Sequence, residues 1–433
     1  MKIALVRPNM GDYRSSDAMP PLAIGILAAR SRGHDLAFYD DRVEPVPETL
    51  DVDIVALSVE TFTARRAYQL ADRFRTQGRR VVMGGYHPTF LPEEALQHAD
   101  AVVVGDAEGA WESLLADASS GQLQRIYRGN NRANLAEYPV DRSLFAGKSY
   151  APVELIQYGR GCRFACDFCS IHSFYGSHVR VRPVQAVRDE LQAMNRRRLF
   201  FFVDDNLFST KENLHALLQM LAPLKLRWAC QISIDMARDP SLMDALAQAG
   251  CRYVLIGFES LEPDNLRQMG KGWNKVAGSY RQVVRELHLR GIGVYGTFVF
   301  GYDHDTPDTV RRTIDFALEA RLDIANFNPL TPTPGSALYR RLLNENRLLT
   351  PVWWLDPEYR YGDPIFVPRG MTPDQLAQGC FEAKKQFYAW SSIAGRLLDT
   401  DQRFSLFGAS MTLISNVISR REVVRKQGRL LGA

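Results

Sequence analysis

The stretch GRGCRFACDFCS, residues 159–170, places three of the chain's six cysteines within eight positions. Cys162, Cys166 and Cys169 follow the spacing Cys-x-x-x-Cys-x-x-Cys. Thiolates at such close spacing hold iron–sulfur clusters, and three of them leave one iron of a four-iron cubane open to another ligand. A structural zinc site needs four ligands. His172 is close enough in sequence to be the fourth, so zinc is the alternative at this loop.

The bulk composition sets the class of protein. The chain has 433 residues, 46% hydrophobic and 24% charged, which is typical of a globular protein. A net charge of +4 does not indicate a protein that coats nucleic acid. The N-terminus shows no secretory signal, and the longest apolar run, MPPLAIGILAA (19–29), is shorter than the ~20 residues of a membrane-spanning helix. We therefore expect a cytoplasmic chain, in which clustered cysteines favour metal over disulfide.

Residues 2–106 alternate short apolar runs with helical stretches. The apolar runs that we interpret as about five strands are KIALVRP (2–8), DLAFYD (35–40), DIVALSV (53–59), RVVMGG (80–85) and DAVVVGD (100–106). Continuous apolar strands that alternate with helices predict a doubly wound, Rossmann-like parallel sheet with helices on both faces.

Small and polar residues follow these strands, where ligands bind in sheets of this kind. They are Ser58, Thr61, Gly84, Gly85, His87, Gly105 and Glu108. Glycine after a strand lets the backbone approach a bulky ligand, although tight turns alone also explain it.

About six strand–helix units, the first of which starts with the strand PVELIQYG before the cysteine stretch, predict a partial (β/α)6 barrel with its site at the carboxyl ends of the strands. The polar residues on or after these strands are Asp204, Asp205, Gln231, Glu259 and Ser260. Helix capping and plain solvation are the competing explanations for each.

RGCRFACDFCS resembles the signature of the radical SAM family, including the aromatic residue before the third cysteine. The resemblance implies that a [4Fe–4S] cluster on Cys162, Cys166 and Cys169 binds S-adenosylmethionine (SAM) at its open iron and cleaves it to an adenosyl radical. It further implies that Asp204 and Asp205 meet the methionine amino group. Glu259 would meet the ribose, and Gly296 and Gly301 would lie close to the adenosine. Gln231 and Ser260 are additional cofactor-binding candidates.

The N-terminal loops resemble those of the cobalamin-binding domain that precedes many radical SAM enzymes. The similar stretches are SVETFTARRAYQLA, GGYHPTFLPEEAL and VVGDAEGAWESLL, and the resemblance covers most of residues 1–115. It implies cobalamin at the N-terminal strand ends. The chain lacks the Asp-x-His-x-x-Gly run that ligates cobalt, so no histidine of that motif binds it. The absence of cysteine before Cys162 counts against a methylthiotransferase.

We expect four regions: a cobalamin-binding domain at 1–135, a linker at 136–150, the radical SAM barrel at 151–340, and a helical and aromatic region at 341–433. The aromatic, proline-rich stretch after residue 350 covers either the mouth or the bottom of the barrel. The last helix has Phe407, Met411, Ile414 and Ile418 on one face and then a basic end. It docks on the protein's own core or makes peripheral contact with an anionic membrane.

The resulting hypothesis is a cobalamin-dependent radical SAM enzyme. It would methylate an unactivated carbon, or phosphorus, of a lipid-like or tetrapyrrole-like small molecule. The chain most resembles the group that contains the anaerobic Mg-protoporphyrin ester cyclase and the hopanoid methylase. A low-potential electron donor such as flavodoxin or ferredoxin is implied.

The first alternative is oxidation, cyclisation or ring rearrangement with the same cofactors, and a second is an N-terminal domain that has lost cobalamin. A non-catalytic cobalamin sensor would lack the strand-end acids. An electron carrier would have a fourth cysteine beside the first three.

Overall fold

Two six-stranded parallel sheets organise the chain in a computed structural model, which describes residues 1–11, 13–15, 17–130, 133–208, 210–274, 279–398 and 406–431. The strands are β1 (Lys2–Arg7), β2 (Asp35–Asp40), β3 (Ile54–Ser58), β4 (Arg80–Gly84), β5 (Ala101–Val104), β6 (Ile126–Arg128), β7 (Val153–Ile156), β8 (Gly159–Arg160), β9 (Arg180–Val181), β10 (Leu199–Phe202), β11 (Trp228–Gln231), β12 (Cys251–Glu259), β13 (Gly293–Phe300) and β14 (Ile324–Pro329). The helices are α1 (Leu22–Ala29), α2 (Ala64–Thr76), α3 (Tyr86–Phe90), α4 (Pro92–His98), α5 (Ala110–Ser119), α6 (Ser170–Tyr175), α7 (Val184–Ala193), α8 (Lys211–Leu221), α9 (Pro240–Gln248), α10 (Pro263–Gln268), α11 (Tyr280–Leu289), α12 (Pro307–Glu319), α13 (Ala337–Asn344), α14 (Pro373–Phe387), α15 (Trp390–Leu397) and α16 (Leu406–Lys426).

The first sheet has the strand order β2-β1-β3-β4-β5-β6, with every pair parallel. Helices α1 and α5 pack on one face, and α2 and α4 pack on the other. The doubly wound sheet predicted from the apolar runs is confirmed. The sixth strand, β6, was not predicted, because three residues in a polar stretch give no readable alternation.

The second sheet has the order β7-β10-β11-β12-β13-β14 and is also parallel. Its strands follow one another in chain order, with β7 and β14 at the two edges, so the predicted partial barrel is confirmed. A short antiparallel ribbon, β8–β9, is inserted between β7 and β10 and was not predicted.

The aromatic stretch after residue 350 packs against the first sheet's layer, a placement that neither of the two interpretations included. Trp353, Trp354 and Ile365 are buried in the core on the α2 side of that sheet. The Trp353 ring lies 5.1 Å from the ring of Phe62, centroid to centroid. The C-terminal region therefore completes the core of the N-terminal one.

Helix α16 docks on the barrel through polar side chains. The Tyr253 hydroxyl lies 2.6 Å from Thr412 Oγ1, and Asn416 Nδ2 donates to the Asp323 carbonyl at 2.8 Å. Ile414, which the sequence places on the apolar face of this helix, is 51% exposed. Among the residues described, no helix is both long enough and apolar enough to cross a bilayer.

Candidate active site

The ribbon β8–β9 closes the base of the cysteine-bearing segment. Arg160 pairs with Arg180 across the ribbon, and residues 161–179 form the excursion between the two strands. Gly161 has a φ of +92°, and a Cβ there would lie 2.0 Å from the His178 carbonyl oxygen. Only glycine fits this close approach, so the loop leaves the ribbon in a fixed direction.

The three thiols of the loop are free and partly enclosed. Cys166 is buried, whereas Cys162 and Cys169 are half-buried. Burial raises the pKa of the Cys166 thiol to about 12 and also raises that of Cys169. Because thiolates are the ligands of iron, a bound cationic metal must supply the charge that deprotonates them.

The loop's donor set fits an iron–sulfur cluster. Among the described residues, no three His, Cys, Asp or Glu side chains converge on one point where a single ion could bind. The thiolates of a cubane bind separate irons and need not converge. The Phe164 ring stacks on Trp273 with centroids 3.4 Å apart, and Phe168 lies edge-on to Tyr302, so aromatic rings flank the loop.

The two acids after β10 face different ways. Asp204 is buried and accepts hydrogen bonds from the backbone N–H groups of Tyr158, at 3.0 Å, and Gly159. Its burial raises the pKa of this carboxyl to about 7. Asp205 Oδ2 accepts from the Gly161 N–H at 2.7 Å, and its side chain lines a cavity. Asp204 thus supports the ribbon, and Asp205 is the acid available to a ligand.

Glu259 and Ser260 end β12 at a strained turn. Glu259 has a φ of +62°, and its carboxylate lies 2.9 Å from Lys271 Nζ. Ser260 is buried, and its Oγ accepts from the Glu262 N–H at 3.0 Å. Gln231 Nε2 donates to the Asp205 carbonyl at 3.0 Å. In the structure these polar groups form hydrogen bonds with one another and with the backbone at the carboxyl ends of β11 and β12.

Gly296 and Gly301 lie close to protein side chains. A Cβ at Gly296 would meet Leu322 at 2.7 Å, and one at Gly301 would meet Phe366 at 2.6 Å. The small size of both residues is therefore already required by packing. Their predicted contact with adenosine stays a prediction.

A cavity of about 350 Å³ lies between the carboxyl ends of the first sheet and the cysteine segment. The predicted residues that line it are Ser58, Gly84, Gly85, Gly105, Glu108 and Asp205. Thr61 and His87 are not among the lining residues. Apolar side chains such as Ile26, Val82 and Trp111 cover much of the remaining wall. The small residues at the strand ends leave room for a broad ligand, which fits the cobalamin that the resemblance implies.

His87 lies in a buried hydrogen-bond network instead. Its Nε2 is 3.0 Å from Glu94 Oε1 and 3.1 Å from the Tyr68 hydroxyl, while Nδ1 is 3.4 Å from Thr61 Oγ1. The Trp354 indole also donates to Glu94, at 3.0 Å. Burial alone would raise the pKa of Glu94, but the hydrogen bonds from His87 and Tyr68 outweigh it and lower the pKa. His87 and Thr61 therefore have structural partners.

The structure adds lining residues that the sequence patterns did not single out. Asp106, Gln157, Arg160 and Tyr175 also line the cavity. Asp106 lies within the quoted stretch VVGDAEGAWESLL, but acids are common in such loops. The arginine and tyrosine come from the unpredicted ribbon and the helix it encloses, so no local signal identified them.

Comparison with known proteins matches both halves of this arrangement. The chain matches the Radical SAM superfamily over residues 156–317 and the B12 binding domain over residues 17–115. It is 31% identical to bacteriochlorophyllide d C-12(1)-methyltransferase of Chlorobaculum tepidum, over 92% of this chain and 89% of that protein. It is 24% identical to the anaerobic magnesium-protoporphyrin IX monomethyl ester cyclase of Cereibacter sphaeroides, over 90% and 70% of the two chains.

Among solved structures, the radical SAM methyltransferase TsrM from Kitasatospora setae, with cobalamin and a [4Fe–4S] cluster bound, superposes with a TM-score of 0.69. The sequence identity is 16%, and 98% of each chain is covered. The likeness establishes a shared fold over the aligned part of the two chains.

Proposed function

Because the chain belongs to the cobalamin-dependent radical SAM enzymes, we propose that it transfers a methyl group from SAM to an unactivated carbon of a tetrapyrrole. The observation that carries the proposal is a cavity that both halves of the chain line. Gly84 and Gly105 line it from the first sheet, and Asp205 and Tyr175 line it from the barrel side. A cofactor over the first sheet and one at the cysteine loop would face each other there.

The roles of the chain's own residues follow from their positions. When bound, the cluster supplies the electron that cleaves SAM, and cobalamin carries the methyl group. Cys162, Cys166 and Cys169 would hold the cluster. Asp205 would accept a hydrogen bond from the ammonium group of SAM in the cavity.

The other predicted contacts stay part of the proposal. Glu259 would orient the ribose, and Ser58, Gly84, Gly85, Gly105 and Glu108 would border cobalamin. The apolar wall around Ile26 and Trp111 would help to exclude water from the cavity when the cofactors are bound.

The similarity to the Chlorobaculum tepidum enzyme, which spans nearly the full length of both chains, supports a tetrapyrrole as the substrate. The domain boundaries at 135, 150 and 340 belong to the same proposal.

Oxidative cyclisation of a tetrapyrrole is the second candidate function. It is favoured by the similarity to the ester cyclase, which is weaker in identity than that to the methyltransferase. Cyclisation would form a carbon–carbon bond with loss of hydrogen from substrate and no gain of a methyl group.

The test is anaerobic reconstitution of the full chain with iron, sulfide and cobalamin, followed by bacteriochlorophyllide d and SAM labelled in its methyl group. We expect the label in the tetrapyrrole product and 5′-deoxyadenosine beside it. A product that loses hydrogen without gaining label would support the cyclase. Failure of the cobalamin-saturated enzyme to alter this probe would contradict the proposed substrate.

Two partners complete the proposal. A low-potential donor such as flavodoxin or ferredoxin would reduce the cluster. The outer face of α16 would rest on an anionic membrane, because it exposes Ile414 and Val424 beside Arg420 and Arg421. Exposed apolar side chains among basic ones are typical of helices that lie in a membrane interface.

A further inference from the structure

A buried charge network joins the loop after β5 to the ribbon that carries the cysteines. Arg160 Nη1 lies 2.6 Å from Glu108 Oε1 and 3.3 Å from Asp106 Oδ2. Arg180 also pairs with Asp106, and the Tyr175 hydroxyl donates to Asp106 Oδ1 at 2.9 Å. Two acids from the first sheet thus contact both strands of the ribbon and the helix between them.

The charges of this network are largely shielded from solvent. The side chains of Arg160 and Arg180 are 12% and 14% exposed, and those of Asp106 and Glu108 are 7% and 3% exposed. Buried ion pairs contribute little net stability, because desolvation offsets their attraction. Their short, charge-assisted hydrogen bonds instead fix the relative position of the groups that they join.

The acid-bearing loop is itself held rigidly. The Gly105 N–H donates to Thr89 Oγ1 at 3.0 Å, and the Asn130 N–H donates to the Glu108 carbonyl at 3.1 Å. Gly129 lies so close that an added Cβ would clash with the Asp106 carbonyl. The ribbon therefore binds to a stiff platform at the end of β5.

The network acts next to the predicted cluster site. Arg160 is two residues before Cys162, and Arg180 pairs with it across the ribbon. A shift of the platform relative to the ribbon would move the cysteine loop relative to the strand ends of the first sheet. Arg160, Asp106 and Glu108 also form part of the cavity wall between them.

We propose that Asp106 and Glu108 clamp the ribbon through Arg160 and Arg180, and that this clamp couples cleavage of SAM to methyl transfer by fixing the distance between the two cofactors. The inference rests on the proposed function. Asp106, Arg160 and Arg180 are positioning residues, since the contacts that the clamp needs are made within the network, whereas Glu108 also borders the proposed cobalamin.

The variants are Arg180→Gln and the charge-balanced pair Asp106→Asn/Arg180→Gln, in the reconstituted full chain. The pair removes one charge of each sign, so it avoids leaving a buried carboxylate unpaired. Arg42→Gln is the matched control. Arg42 forms an ion pair of similar burial with Asp40 at 2.6 Å, at the end of the edge strand β2, and neither residue lines the cavity.

Two measurements distinguish a change in the relative position of the cofactors from a defect in folding. The first is the ratio of methylated product to 5′-deoxyadenosine. We expect this ratio to fall by about tenfold or more in both variants, because displacing a reacting group by about 1 Å slows a reaction by at least that factor. The second is the magnetic coupling between cob(II)alamin and the reduced cluster in electron paramagnetic resonance, which should weaken. Cluster content and 5′-deoxyadenosine formation should stay near those of the control.

An unchanged product ratio and unchanged coupling in the double variant would overturn the clamp. Loss of the cluster from both variants, with the control loaded, would also overturn it, because the network would then serve folding. If the unmodified enzyme forms no methylated product, the proposed function fails, whereas the coupling measurement still tests the clamp.

Discussion

Lys271 Nζ lies 2.9 Å from Glu259 Oε1 and 2.9 Å from the carbonyl oxygen of Gly257. Both side chains are nearly buried, with the lysine 7% and the glutamate 12% exposed. The pair holds Glu259 at the end of β12 in its positive-φ conformation. The carboxylate that we assign to the ribose is therefore fixed by a cation before any ligand arrives.

Lys271→Met should lower the free energy of unfolding by about 3–5 kcal/mol, because it leaves the Glu259 carboxylate buried without its partner. Denaturant unfolding of the full chain measures this loss. The double variant Glu259→Gln/Lys271→Met should recover part of it. If the single variant is as stable as the unmodified protein, the pair does not anchor Glu259.

Cys166→Ala should abolish both cluster loading and formation of 5′-deoxyadenosine, since the cluster would lose one of its three protein ligands. Iron content and chromatography of the nucleoside products measure the two effects. Cys380→Ala is the matched control, because Cys380 is a buried cysteine in α14, outside the cysteine segment. A Cys166→Ala protein with full iron and undiminished 5′-deoxyadenosine would contradict the site.

The carboxylate of Asp303 should make the stability of the fold depend on pH in the acid range. Burial alone would raise the pKa of Asp303, but hydrogen bonds from Gln268, Arg347 and Arg341 outweigh it and bring the pKa to about 2. A depressed carboxyl pKa stabilises the fold above the unfolded value of about 3.9, and this contribution is lost as the pH falls toward about 2.

Asp303→Asn should therefore cost about 1–2 kcal/mol near neutral pH, a value reduced for solvent screening. Urea unfolding of both proteins at a series of pH values tests this. The difference between them should narrow as the pH falls below about 4. A difference that stays constant over that range would show that the ion pairs of Asp303 are not its origin.

Trp354→Ala should destabilise the core of the first sheet by about 3–5 kcal/mol and weaken cobalamin binding more than cluster loading. Trp354→Phe keeps most of the packing and loses the hydrogen bond to Glu94, so it should cost less. Unfolding curves measure the loss of stability in each variant, and titration with cobalamin, followed by absorbance, measures the loss of binding. Equal losses in both variants would assign the whole effect to the hydrogen bond.

Membrane contact should depend on the exposed face of α15 and α16. Trp390 is 55% and Val424 is 68% exposed, beside an open groove of about 600 Å³ lined by Lys385, Arg420 and Arg421. The protein should co-sediment with vesicles that contain phosphatidylserine, and Trp390→Ser/Val424→Ser should reduce the bound fraction severalfold.

Leu349→Ser is the control for this surface, because Leu349 is an exposed leucine outside these two helices. Equal binding of the double variant and the control would rule out a role for this face. Binding to neutral phosphatidylcholine vesicles at the same level would exclude the basic groove as the determinant.

The regular parts of the fold were predictable because they depend on local pattern. The apolar runs of Ile3–Val6 and Phe200–Phe202 indicate buried parallel strands, and the cysteine spacing is itself a local signal. Contacts between distant segments were not predictable. The hydrogen bond between Trp354 and Glu94 joins residues 260 positions apart, and the sequence around either residue does not indicate this contact.

Helix α16 shows a second limit of pattern analysis. Apolar periodicity singled out the face that carries Ile414 without deciding what covers it, whereas the structure buries Thr412 and Asn416 on the barrel through hydrogen bonds. Polar side chains can be buried when each finds a partner, and a single sequence does not reveal those partners.

Trp353 and Trp354 also determine when the core of the first sheet can be completed during synthesis on the ribosome. The helix that they cover is synthesised first, but the two indoles emerge only after the entire barrel has been translated. A nascent chain that stops short of Trp353 therefore displays an unfinished apolar surface on α2. The apolar core on the α2 side of the first sheet should therefore close only when translation has passed this point.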